Sequence, residues 1–273
     1  MVEIIVAAGR LEKAEDPPAA ASPPSINGND NCRAALASPA SLEGGSTGGA
    51  RLMGVDWDEH AEREESRYAD GVARVPSDAD ARQRQLVRIA MAATGAGLAR
   101  LMQGRRAEAA GWLARSAERY RESFPGAPPG SWGRLIGAVK ARVLAGDWDG
   151  ARADAEWALE QRPAEADSPI GRYAGVLALV VLGRAEEAAA LADGLRREPE
   201  EAFPRPVAEA LAALAAGDAA GYGEAAGRVL ASFEERDDYL EDIPVADTVV
   251  VLEALAERRG LAAGLSSPLL PDA

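Results

Sequence analysis

Apolar positions recur every three or four residues along most of the chain beyond residue 55, the spacing of helices with one buried face. From Asp56 to about Arg74 the charged run Glu59-His60-Ala61-Glu62-Arg63-Glu64-Glu65 predicts a solvated helix anchored by Trp57 and Tyr68. Ser77 reads as an N-cap, because a short hydroxyl can accept from the free N–H groups of a first turn. Behind it Leu86, Ile89, Ala93, Gly97 and Leu101 form a single stripe that ends at Gly104. Arg105 to Phe124 reads as the returning helix, with Trp112, Leu113, Ala117 and Tyr120 inward, and the Pro- and Gly-rich loop 125–130 stops it. Three more pairs follow: 131–145 with 148–161, 168–182 with 185–197, and 206–216 with 222–235. A last helix over 244–259 is apolar almost all round, which predicts burial, and Gly260 caps it. Its Val249-Val250-Val251 run suits a strand, but the continuation through Glu253-Ala254-Leu255-Ala256-Glu257 favours helix.

The turn glycines Gly104, Gly146, Gly183 and Gly217 are 42, 37 and 34 residues apart, the interval of stacked helix pairs. Gly146, Ala151, Ala158 and Pro163 resemble the turn and second helix of tetratricopeptide repeats, and Gly97, Gly104 and Ala109 match part of the same set. Val139 and Arg142 depart from that pattern, standing where the first helix of the family has a small residue and a tyrosine. The resemblance spans roughly 80–235. It implies an all-α fold, a right-handed α-solenoid of antiparallel helix hairpins, with 53–273 as one helical repeat domain. The end of the chain, from Asp237-Asp238-Tyr239 through Arg259-Gly260-Leu261 to Leu265-Ser266-Ser267-Pro268-Leu269-Leu270-Pro271, resembles over about 35 residues the tail of the helical immunity proteins of family forty-nine. That likeness implies a protein that neutralises a toxin by binding it.

Residues 1–52 differ from the rest. Pro17-Pro18, Pro23-Pro24, the polar run 27–31 and the glycine-rich 44–49 leave little to bury, so a disordered segment is expected. A second expectation is that translation starts at Met53, which would make these residues a misassigned extension.

Composition narrows the function. The apolar fraction of 47% supports a core, and aromatics at 5% with abundant alanine favour closely packed helices. A net charge of −14 argues against duplex nucleic acid and for a basic protein as partner. No apolar run reaches the roughly 18 residues of a membrane helix, and the acidic start does not read as a signal peptide, so a cytoplasmic protein without a membrane partner is expected. Of 30 basic residues only Lys13 and Lys140 are lysines, and Cys32 is the single cysteine.

With His60 the only histidine and Cys32 the only cysteine, a Ser-His or Cys-His nucleophile pair and a His/Cys zinc site are both hard to assemble, and no phosphate-binding glycine motif is present. Gly95-Ala96-Gly97 lies mid-helix and reads as a site of close packing. A non-catalytic protein without cofactor or metal is therefore expected: an immunity-type inhibitor of a basic toxin, or a scaffold gripping peptides, with an enzyme using only acids and arginines as the remote third reading. Two candidate binding constellations stand out. Trp132-Gly133-Arg134 and Gly171-Arg172-Tyr173 open equivalent helices, so Arg134 and Arg172 are expected to form a cationic ledge beside Trp132 and Tyr173 that suits a carboxylate or peptide backbone. Asp237 and Asp238, amid Glu234, Glu235, Glu241 and Asp242, form an acidic knot for a cation or a basic partner segment.

Overall fold

A computed structural model describes residues 55–236, 238–239 and 242–272, so the expectations for 1–52 lie outside the described residues. Within these limits the chain forms ten α-helices, two single-turn 3-10 helices and no strand. The helices are α1 Trp57–Ala73, α2 Ala79–Met102, α3 Arg106–Ser123, α4 Gly133–Leu144, α5 Trp148–Glu160, α6 Pro169–Val181, α7 Ala185–Arg196, α8 Arg205–Ala216, α9 Ala219–Glu234 and α10 Asp247–Glu257. Each packs on the helices before and after it. In addition α4 touches α6, α6 touches α8, and α10 returns to lie on α4, α8 and α9.

The pairs α2–α3, α4–α5, α6–α7 and α8–α9 are closed by one kind of turn. Gly104, Gly146, Gly183 and Gly217 have φ of 70°, 69°, 72° and 73°, a region that a side chain disfavours. The residue after each glycine donates its N–H to the carbonyl five back: Arg105 to Arg100, Asp147 to Arg142, Arg184 to Leu179 and Asp218 to Ala213, at 2.9–3.0 Å. The turn therefore satisfies the last carbonyls of the first helix as it reverses the chain.

Counting from these glycines, the second helices bury the same positions. Ala109, Ala151, Ala188 and Tyr222 follow by five residues, Leu113, Ala155, Ala192 and Ala226 by nine, Ser116, Ala158, Leu195 and Val229 by twelve, and none is more than 1% exposed. Spacings of four and three put them on one stripe, and their mostly small size lets the helices approach closely. Close approach also explains Gly97, where a Cβ would come within 2.6 Å of the Leu113 side chain.

The second helices begin in two ways. Asp147 and Asp218 cap α5 and α9, accepting from Gly150 N at 2.9 Å and Gly221 N at 3.0 Å, and a Cβ on either glycine would collide with the capping carboxylate. Arg105 and Arg184 offer no side-chain cap. Their guanidiniums instead bind both oxygens of Glu108 and Glu187, three residues on.

Two boundaries differ from expectation. Asp78, not Ser77, caps α2, accepting from Ala81 N at 2.8 Å; a carboxylate one residue later reaches the same free N–H groups. The last helix begins at Asp247 rather than Pro244: Ala246 has a non-helical ψ of 60° and donates its N–H to Leu269 O at 2.9 Å. That bond pins the C-terminal tail, and Leu269 is fully buried.

Helix α10 buries Val249, Val251, Leu252 and Leu255, and three polar contacts fix its register. Lys140 Nζ lies 2.6 Å from Asp247 Oδ2 and donates to Thr248 Oγ1 at 3.2 Å. The Tyr222 hydroxyl donates to Glu253 Oε1 at 2.6 Å. Lys140 is 4% exposed and stands six residues before its turn glycine, where the other pairs carry Leu98, Leu177 and Leu211. Removing it leaves a carboxylate in a largely dry interface. Lys140→Ala is expected to lower unfolding free energy by about 3 kcal/mol, while Lys140→Leu with Asp247→Ala recovers most of it. Urea denaturation of these proteins together with the Lys140→Leu and Asp247→Ala single variants checks this, and additive losses in the two singles and the double would mean the two side chains are not coupled.

Candidate functional site

The equivalent helix starts do lie side by side. Trp132 immediately precedes α4, and its indole Nε1 would be 3.0 Å from a Cβ on Gly171, near the start of α6, so Gly171 is what lets the ring pack there. The arginines behave otherwise than expected. Arg134 is 2% exposed and turns away from solvent, donating to Ser123 O at 2.5 Å and to Gln83 Oε1, thereby tying α4 to the end of α3 and the start of α2. Arg172 pairs with Glu198 beyond the end of α7. Tyr173 is buried against Phe203, ring centroids 5.4 Å apart, and burial first and the Asp247 carboxylate second push its hydroxyl pKa up. No exposed cationic ledge forms from Arg134 and Arg172, because acceptors at the α2–α3 junction, invisible in the sequence, draw Arg134 inward. Of the acidic knot, Asp237 lies outside the described residues and Asp238 is exposed.

The row of first helices is not open either. Lys140 on α4 reaches Asp247 on α10, and α10 also packs on α8, so the C-terminal segment covers part of the row of first helices.

What remains accessible is polar. Among the described residues Val72, at 40%, is the only exposed large hydrophobic side chain. The most distinctive surface is the outer stripe of the second helices, diametrically opposite the buried one. On α5 it presents Asp149, Ala153, Glu156 and Glu160, on α7 Glu186, Ala190, Asp193 and, just past the helix end, Arg197, and on α9 Ala220, Glu224, Gly227 and Ala231, most of them exposed. Small residues between carboxylates make a smooth, negative face. Asp149, Glu156, Glu160, Glu186 and Glu224 form no ion pair with any described residue. Of the arginines beside the stripe, Arg184, Arg162 and Arg196 are held in local pairs with Glu187, Glu165 and Asp193, while the exposed Arg152 and Arg197 are in no ion pair with a described residue. The repeat of turn glycines contains the signal for this face, since it follows by counting three, seven, ten and fourteen residues onward. The same count marks Lys140 as out of pattern.

Among the described residues no group of three or more His, Cys, Asp or Glu side chains is placed to hold a metal ion, and no helix is long and apolar enough to cross a membrane. His60 stacks near Trp57, ring centroids 5.7 Å apart, with its Nδ1 buried and without a hydrogen bond. Comparison with protein-family models, curated proteins and solved structures gave no match.

Two predictions follow from these placements. Arg134→Ala is expected to cost about 2–3 kcal/mol of stability, since it strips a buried cation from two acceptors, whereas Arg172→Ala, whose ion pair is partly solvated, costs about 1 kcal/mol or less. Chemical denaturation separates the two, and equal losses would contradict the different burial. For His60, burial first and the Arg63 guanidinium second hold the pKa below 6.5, against Glu59, Glu64 and Asp242. The folded state thus binds this proton less readily than the unfolded chain. Its contribution to stability is full above the unfolded value and falls as pH drops below it. Between about pH 7.5 and about pH 5.5, His60→Gln should lose less stability than the wild type in thermal melts, and identical losses would remove the imidazole from the account.

Proposed function

We propose that the chain is a non-catalytic protein-binding module, a right-handed α-solenoid of four stacked hairpins, which recognises a basic protein through the acidic outer face of α5, α7 and α9. The shared turn geometry and the common buried register of the four hairpins support the repeat reading. The observation that carries the partner reading is the unpaired carboxylate stripe of Asp149, Glu156, Glu160, Glu186 and Glu224, set among small residues where a partner surface can approach closely. An acidic face of this kind accelerates encounter with a basic protein and disfavours anionic competitors. The sharpest version is an immunity-type inhibitor, consistent with the resemblance of the C-terminal segment to that family. A peptide-gripping scaffold is the less favoured reading, because α10 lies on α4 and α8, where the peptide would be expected.

The test uses as probe a basic protein encoded beside this gene, since an inhibitor and its target are commonly neighbours. Co-expression should relieve any toxicity of that protein. The purified pair should form a one-to-one complex whose affinity drops about tenfold or more from ~50 to ~200 mM salt. Replacing Glu156, Glu160 and Glu186 together by lysine should weaken it at least as much while leaving helix content unchanged by circular dichroism. A complex indifferent both to salt and to this charge reversal would refute binding through the acidic face.

A further inference from the structure

Between the second half of α1 and the first half of α2 lies an open cleft of about 380 Å³, lined by Arg67, Asp70, Gly71, Arg74, Gln85 and Arg88. Its size is at the small end of the roughly 300–1,000 Å³ usual for ligand clefts. Its charge is opposite to that of the molecule as a whole: three guanidiniums and one carboxylate line it, in a chain of net charge −14.

Gln85 organises the cleft. Its Nε2 donates to Gly71 O at 3.0 Å, which anchors the amide to α1 and fixes its orientation. Its Oε1 then accepts from Arg88 Nε at 3.0 Å and Nη2 at 2.8 Å. Arg88 is thus held in place by a neutral acceptor, and no carboxylate among the described residues compensates its charge. Two of the five guanidinium donors are used, and the other three belong to an exposed side chain at the cleft. Arg74 flanks it, bonded through Nη2 to Asp70 Oδ2 at 3.0 Å, and Arg67 closes the side toward the buried Glu64. Elsewhere on the surface Arg105, Arg162 and Arg184 each hold a carboxylate in a two-pronged contact, whereas Arg88 is held by a neutral amide. An oriented guanidinium without a counter-charge, flanked by two more, is the arrangement that takes up an oxyanion.

We propose that this cleft is a binding site for a small oxyanion, a phosphate or a carboxylate group, with Arg88 as the principal ligand and Arg74 beside it. The repulsion from the acidic surface does not forbid this. At physiological ionic strength charges beyond about 8 Å are largely screened, whereas contacts made at hydrogen-bond distance are not. The site is independent of the acidic face on α5, α7 and α9 and has the opposite charge preference, so either reading can fail alone.

Calorimetric titration at constant ionic strength tests the site, with inorganic phosphate in one arm and succinate in the other. The full chain is expected to bind at least one of them saturably, one to one. Arg88→Gln should weaken that binding about tenfold and Arg74→Gln with Arg88→Gln about a hundredfold, at one charged hydrogen-bonded contact each. Arg184→Gln, far along the chain in a self-contained pair with Glu187, should leave it unchanged. The tighter arm identifies the oxyanion. All variants alter exposed side chains, and unchanged circular dichroism confirms that they are folded. The absence of saturable binding in both arms, or equal binding by the wild type and the double variant, would overturn the site.

Discussion

The left-handed glycine that closes each hairpin is the constraint from which the rest of the architecture follows. A residue with a Cβ in that conformation costs about 1 kcal/mol or more, and four hairpins use glycine there with φ within a few degrees of one another. The turn fixes where the second helix starts, and the start fixes which residues face inward. Positions five, nine and twelve beyond the glycine are then forced into contact with the first helix. Alanine at most of them brings the helices close, while Leu113, Leu195, Tyr222 and Val229 fill the wider places. The large side chains of the core, among them Leu86, Ile89, Leu135, Leu177 and Leu211 on the first helices, pack against this small-residue stripe.

Lys140 is the point at which the pattern is broken to a purpose. In the other three pairs the corresponding residue is leucine, which packs without specifying a partner. An ammonium there must find an anion, and the one within reach is Asp247 at the first turn of α10. A buried ion pair adds little net stability compared with two apolar residues, yet it tolerates almost no alternative placement. The contact ties the first turn of α10 to one place on α4. Tyr222 with Glu253, and Glu253 in turn with the N–H groups of Ala263 and Gly264, extend that fixation into the tail.

How far the sequence makes this legible depends on the range of the interaction involved. Helices, turns and the buried alanines follow from local spacing and are readable to within one or two residues. The exceptions have different causes: Asp78 lies next to Ser77 and is an equally good cap, whereas Ala246, just before α10, is bound by a carbonyl over twenty residues away. The helix starts at Trp132 and Gly171 are correctly paired by the repeat interval. What could not be read is the direction taken by Arg134, because Ser123 O and Gln83 meet it only after three helices have packed. The return of α10 onto α4 is equally hidden, since an apolar helix announces burial but not where. Counting from the turn glycines would have exposed Lys140 as an anomaly and the carboxylate stripe as a face, using nothing beyond the spacing.

The two surfaces singled out are consequences of one habit of the chain, the pairing of arginines close by in sequence. Pairs three or four residues apart, such as Arg105–Glu108, Arg184–Glu187 and Arg74–Asp70, neutralise several arginines locally and contribute little to stability, at most a few tenths of a kcal/mol. Their effect is to remove positive charge from the long-range field without removing the surplus carboxylates. On α5, α7 and α9 that surplus stands unpaired; at the α1–α2 cleft the reverse occurs, since Gln85 occupies the position from which a glutamate would have neutralised Arg88. A single glutamine in place of an acid thus leaves the cleft positive, while the stripe on the second helices stays negative. A basic partner approaching this molecule would be drawn to the outer face of α5–α9 and turned from the cleft, so that the two sites need not compete.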